Sequence, residues 1–241
     1  MSGPAYYNLG DMLVVGEAPA KLIKALAVIA DRLHAEYDRQ PWIAHTGKSK
    51  SSCVLTSLTV RNFLCRVGFI ANVRPVFLVL QANQFNEVLH SAGIGDPTAN
   101  GHRVGGYWNG HMVASVLVGP GRCYLIDTTL YPAHRDAWDH LPGMVAVSTD
   151  EGPEIARRWG NASVFHGLKP LAGFGAEDGA GYSFQAIYLD NPNNKSWRQG
   201  PDAHKSLERR VVVERMVECF GEWDGVSYAG GQRRPAHMDS L

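Results

Sequence analysis

What this chain lacks narrows its function before any motif is read. Cysteine is scarce: Cys53, Cys65, Cys123 and Cys219 are the only four in 241 residues. That density is far below a disulfide scaffold, and no C-x-x-C pair is present to nucleate zinc or dithiol chemistry. A reducing, cytoplasmic compartment is the expectation, with most of the thiols buried and inert. An excess of one charge is also missing. Lys and Arg number 23 and Asp and Glu number 23, so the formal net charge is zero. Nucleic-acid binding through phosphate neutralisation calls for a basic excess, and so does attachment to an anionic membrane surface; neither partner is expected. No apolar run of about 18 residues occurs, so no transmembrane helix is expected. Met1 to Val15 has no basic stretch leading into an apolar one and does not read as a secretory signal. Repeats and low-complexity stretches are absent.

What is present is the composition of a globular chain, 45% hydrophobic, read as a single domain over residues 1–241 with a polar tail from about 225. Leu22, Leu26, Ile29 and Leu33 recur at helical spacing and predict a helix from Lys21 to about Tyr37. The serines at 49, 51 and 52 offer N-cap hydroxyls for a second helix. It is expected to run from there to Val67 and stop at Gly68, with apolar residues on more than one face. Ile70 to Leu80 reads as a strand, with Pro75 at an edge or bulge. Ser91 to Gly110 is turn-rich. Met112–Val118 and Cys123–Leu130 flank Gly119-Pro120-Gly121, a hairpin signal. From Pro132 to Gly181 the pattern is irregular, with weak strand character at Met144–Val147. Tyr182–Leu189 reads as a strand. A last helix begins near Asp202, turns Leu207, Val213, Val217 and Phe220 inward and ends at Gly221, with Arg209, Arg210 and Arg215 on a solvated face. Helices around an antiparallel sheet make the expected fold class α+β.

The chemistry gathers at three residues. Cys53 falls in the first turn of the second helix, where free backbone N–H groups and the positive end of the dipole favour a thiolate. Lys48 and Lys50 are close enough in sequence to add to that field. His111 opens the first hairpin strand and Asp127 lies on its partner. If the turn centres on Pro120, paired positions sum to 240. Asp127 then faces Val113, and His111 is its diagonal neighbour on the same side. A slip of one residue would part them. A carboxylate so placed can hold an imidazole in one tautomer and stabilise its charged form, giving nucleophile, base and orienting group in the order Cys53, His111, Asp127. The separate functional alternatives are an inert buried thiol and a purely structural His–Asp pair.

The stretch SSCVLTSLTVRNFLCRVGFIANVRPV resembles the nucleophile helix and following strand of the transglutaminase-like superfamily, with Arg61, Gly68, Ala71 and Val73 at matching places. GHMVASVLVGPGRCYLIDTTL resembles that family's His strand, turn and Asp strand, including Thr129 two residues after Asp127. The resemblance spans roughly residues 51–130. It implies a papain-like core with the nucleophile helix packed on an antiparallel sheet. It also implies cysteine-dependent acyl transfer or amide hydrolysis on a small-molecule or peptide acyl substrate, without a cofactor. Ser51 and Val113 stand where family members often carry Gly and an aromatic, which points away from protein crosslinking. The His and Asp strands are also similar to those of arylamine N-acetyltransferases, but Lys48 to Ser52 replaces the Arg-Gly-Gly-x-Cys lead-in. A non-catalytic binding module on the same fold is the third reading. The backbone N–H of Cys53 is one candidate oxyanion donor, and a second is sought in Gln40–His45 or the loop before His111. His134, Asp136, Asp139 and His140 cluster in sequence without a metal-ligand spacing, and no metal is expected. Tyr107 and Trp108 are candidate substrate contacts in a lid.

Overall fold

Two short strands, β1 (Tyr6–Leu9) and β2 (Met12–Val15), form a hairpin ahead of the first helix, α1 (Ala20–Asp38). The computed structural model describes residues 6–43, 47–84, 87–98, 103–104, 107–134, 141–150, 165–177 and 182–222. Leu22, Leu26, Ile29 and Leu33 of α1 are completely buried, as their helical spacing predicts. A 3-10 turn, Lys48–Ser51, leads into α2 (Cys53–Arg66). That helix ends as expected at Gly68, whose φ of 86° suits glycine, with the Phe69 N–H returning 2.9 Å to the Leu64 carbonyl.

Next come the long β3 (Ile70–Gln84) and β4 (Glu87–Ile94), then the two-residue strands β5 (Arg103–Val104) and β6 (Tyr107–Trp108). The hairpin β7 (His111–Gly119) and β8 (Arg122–Asp127) follows, then β9 (Met144–Ser148), β10 (Lys169–Glu177) and β11 (Tyr182–Asp190). A helical turn α3 (Pro201–His204) and the helix α4 (Ser206–Glu222) complete the described chain. Among the described residues nine strands form one sheet in the order β1-β2-β9-β8-β7-β3-β11-β10, with β4 also paired to β3. The class is α+β.

The sheet is not wholly antiparallel as expected: β2 runs parallel to β9. The N-terminal hairpin lacks a long alternating pattern, and its burial depends on β9, far away in sequence. β3 is longer than expected because it changes partners. Its first half pairs with β7 and its second half with β11 and β4, and Pro75 sits at the changeover. β4 occupies part of the segment read as turns, and β10 part of the one read as irregular.

Alternation sorts the sheet residues into two cores. Ala114, Val116, Tyr124, Ile126 and Ala146 pack beneath α1, α2 and α4. Val113, Leu125, Val145 and Val147 turn the other way, onto Val76, Leu78, Phe174 and Tyr188. Two expectations for the C-terminal helix fail. Leu207 is 74% exposed, while Val212 and Met216 join Val213 inside. Arg209 is buried rather than solvated, because its guanidinium donates to the Asp202 and Ala203 carbonyls that end α3. The thiols are less buried than expected: Cys65 is exposed, with its thiol 3.6 Å from the Ala71 carbonyl, and Cys53, Cys123 and Cys219 are half-buried. No described helix is long and apolar enough to cross a membrane. The tail from 225 lies outside the described residues.

Candidate active site

The hairpin register decides whether His111 and Asp127 can meet. The observed pairs Ala114↔Ile126, Ser115↔Leu125, Val116↔Tyr124 and Leu117↔Cys123 each sum to the expected 240, with a bulge only at Gly119↔Arg122. Continued to the strand end, that register sets Asp127 diagonal to His111. The His111 Nε2 is 2.6 Å from Asp127 Oδ2, and both residues are buried. Three further hydrogen bonds reach the carboxylate. The Thr129 N–H donates to Oδ1 at 2.9 Å, the Thr129 hydroxyl lies 3.3 Å from the same oxygen, and the Tyr188 hydroxyl donates to Oδ2 at 3.0 Å. Tyr188 arrives from β11, with β7 and β3 between it and β8 in the sheet.

A carboxylate this deep would be costly alone, and its environment answers the cost. Burial pushes the Asp127 pKa up, but the His111 charge and the hydrogen bonds from His111, Thr129 and Tyr188 hold it below the ordinary carboxylate value. Burial likewise opposes charge on His111. Asp127 and the Cys53 sulfur outweigh it, and the ring is raised from 6.5 to about 10. The pocket therefore favours the charged form of the ring.

Cys53 reaches the same ring from the other side of the sheet. α2 begins at Cys53, and four residues on the Ser57 hydroxyl donates 2.8 Å to the Met112 carbonyl, which ties the helix to the strand just after His111. The Cys53 sulfur is half-buried, lies 3.9 Å from the carbonyl oxygen of Gly110, the residue before His111, and is among the groups that raise the His111 ring's pKa. With Nε2 held by Asp127, Nδ1 is the nitrogen left for sulfur. Cys53 packs against an apolar cluster of Val54, Leu58 and Met112, with Trp108 and Trp197 at its rim.

The lead-in serines do not cap α2 as expected. Ser49 Oγ pairs with His34 Nδ1 at 2.8 Å, Ser51 Oγ donates to the Lys48 carbonyl, and Ser52 Oγ donates to the Asp202 carboxylate. No side-chain cap occupies the first turn of α2, so its N–H groups are free of that competition for an incoming oxyanion. Lys50 is turned away, its ammonium 4.3 Å from the Tyr131 ring centroid. The Gln40 side-chain amide donates 3.0 Å to the Glu36 carbonyl.

Three features here escape sequence reading. The other His34 ring nitrogen, Nε2, donates 2.9 Å to the Thr128 carbonyl. One imidazole thus joins α1, the lead-in to Cys53 and the residue after Asp127, and burial lowers its own pKa to about 4. Trp108 donates its indole N–H 2.5 Å to Asn194 Oδ1, which fastens the segment after β11 beside the thiol. Gly95, with φ of 99°, lies under His111: a Cβ there would stand 2.9 Å from the His111 backbone N. Tyr188 had only its place on a predicted strand as a signal. Asp136, Asp139, His140, His102 and His45 lie outside the described residues, as does the Tyr107 side chain. Among the described residues no three His, Cys, Asp or Glu side chains gather as a metal site.

No protein-family model, curated protein or solved structure matches this chain.

Proposed function

We propose that this protein is a thiol enzyme of transglutaminase-like type, which transfers or hydrolyses acyl groups through Cys53, His111 and Asp127. The observation that carries the reading is the His111 ring, held by Asp127 at 2.6 Å on Nε2 and interacting with the Cys53 sulfur. The charged ring favours a thiolate partner, and the thiolate is the nucleophile.

In the proposed cycle Cys53 Sγ attacks an acyl carbonyl carbon. The C–S bond forms as the C=O π pair moves to oxygen, which takes hydrogen bonds from the first-turn N–H groups of α2. Collapse breaks the bond to the leaving group, and His111 gives that group its Nδ1 proton. The product is a thioester on Cys53. Water or an amine then adds to the thioester while His111 takes up its proton, and collapse breaks the C–S bond to restore the thiolate. Asp127 stays ionised throughout, keeping Nδ1 directed at sulfur. The partly buried Trp108 and Trp197 suit the carbon part of an acyl group.

Two measurements test this. Iodoacetamide near neutral pH should label Cys53 faster than Cys65, Cys123 and Cys219, although Cys65 is the exposed one. A nitrophenyl ester should leave an acyl adduct on Cys53, seen by peptide mass spectrometry and absent in Cys53→Ala. Labelling that follows exposure, with Cys65 first and no adduct on Cys53, refutes the proposal.

A further inference from the structure

A concavity lies at the start of β3. Its volume is about 260 Å³, and its walls include Arg61, Val73, Pro75, Lys195, Trp197 and Arg198. It exists because β11 pairs with β3 only from Val76 onward. The edge of β3 before Val76 is left to the segment after β11, which crosses it on a 3-10 turn, Ser196–Gln199.

The walls carry three cations and no carboxylate. The Arg61 Nε is buried and has no hydrogen-bond partner, an unused charged donor. Arg198 sets its guanidinium 5.5 Å from the Trp197 ring centroid, and among the described residues neither Lys195 nor Arg198 forms an ion pair. The neighbouring carboxylates are engaged elsewhere, Asp190 with Arg74 at 4.0 Å and Asp202 with Lys205 at 2.7 Å. Converging cations with an unfilled donor recognise an anion. A space of this size suits a head group rather than a whole ligand.

The cavity neighbours the apolar cluster that includes Cys53. Arg61 follows Cys53 by eight residues of one helix, about 12 Å along its axis at 1.5 Å per residue. Leu58 and Trp197 belong both to the cavity wall and to that cluster and its rim.

We propose that this cavity receives the anionic end, a carboxylate or phosphate, of the acyl substrate whose carbonyl is attacked by Cys53. The assignment of the acyl step rests on the function proposed above; the assignment of the anion site does not. The substrate class is then an acyl compound with an apolar spacer and a distal negative charge. Remote binding energy of this kind positions the carbonyl at sulfur.

The test has two arms. In the first, inorganic phosphate is titrated into full-length Cys53→Ala protein at low salt and followed by the Arg61 Nε–H and Trp197 indole resonances. Saturable shifts of both, lost in Arg61→Gln and weakened in Lys195→Gln, are expected. Shifts confined to other surface cations overturn the anion site. In the second arm the native chain is given a nitrophenyl ester of a long-chain dicarboxylic acid, with its far carboxyl free or methyl-capped. A kcat/KM preference of at least tenfold for the free acid is expected, falling below threefold in Arg61→Gln. Equal turnover of both esters overturns the substrate class and leaves Cys53 chemistry standing. Phosphate binding without acylation of Cys53 in either ester leaves the anion site standing and overturns the acyl assignment.

Discussion

Replacing Asp127 by Asn conserves size and removes the charge, which isolates what the carboxylate does. In the native chain Oδ1 accepts the Thr129 N–H at 2.9 Å, while Oδ2 accepts His111 Nε2 at 2.6 Å and the Tyr188 hydroxyl at 3.0 Å. An amide can keep its oxygen only on the Thr129 side, since its nitrogen cannot accept that N–H. Its NH2 then faces Nε2, which must become the acceptor. The ring proton moves to Nδ1, toward Cys53, and no base is left for the thiol. The imidazole also loses its counter-charge. Burial is the strongest influence on it and favours the neutral ring, so the pKa falls from about 10 toward or below its ordinary 6.5. Breaking a buried ion pair from one side costs about 3–5 kcal/mol. At about 2–4 °C per kcal/mol for a domain of this size, Asp127→Asn should melt about 6–20 °C lower. A base held in the wrong tautomer costs on the order of 10⁴-fold in rate in a comparable triad; a loss of at least about 100-fold in ester turnover is expected here. Calorimetry, NMR of the imidazole and ester kinetics read the three effects. In the native chain the ring should remain charged through neutral pH and release its proton near pH 10. A variant that melts within about 2 °C of the native chain and keeps its turnover would show that Asp127 sets neither the charge nor the tautomer of His111.

Two further substitutions probe the scaffold of the site, beside the thiol-labelling and anion tests above. Gly95→Ala would put a Cβ 2.9 Å from the His111 backbone N and 3.2 Å from the Val76 carbonyl oxygen, at φ of 99°. It should destabilise the fold by about 1–3 kcal/mol in denaturant melts and slow Cys53 labelling, and a neutral result would show that the turn does not constrain His111. His34 is lowered from 6.5 to about 4 by burial, so the unfolded chain binds its proton first. Its contribution to stability is complete above pH 6.5 and is lost as pH falls toward 4, at up to about 1.4 kcal/mol per pH unit. His111 has the opposite sign: its contribution is complete below pH 6.5 and is lost as pH rises through about 10. His34→Gln should flatten stability between pH 6.5 and 4 relative to the native chain. An unchanged acid slope would show that the ring is charged in the native fold.

Local information carried the parts of this molecule that are periodic or bounded by a turn. α1, the end of α2 at Gly68 and the β7–β8 hairpin follow from spacing and from Gly119-Pro120-Gly121. A hairpin register is set by its own turn, so the meeting of His111 and Asp127 is countable from the sequence. Placing Cys53 in the first turn of its helix needed only the break between polar lead-in and apolar run. Contacts between distant segments were beyond that reach. Tyr188 finds Asp127, His34 finds Ser49 and Thr128, and Trp108 finds Asn194 across 61, 15, 94 and 86 residues of chain. β2 lies parallel to β9, and β3 changes partners at Val76, leaving the edge where the cation-lined cavity opens. A side chain's own neighbours cannot report which remote strand will cover it. That depends on how both sheet faces are buried at once, and only the folded chain decides it.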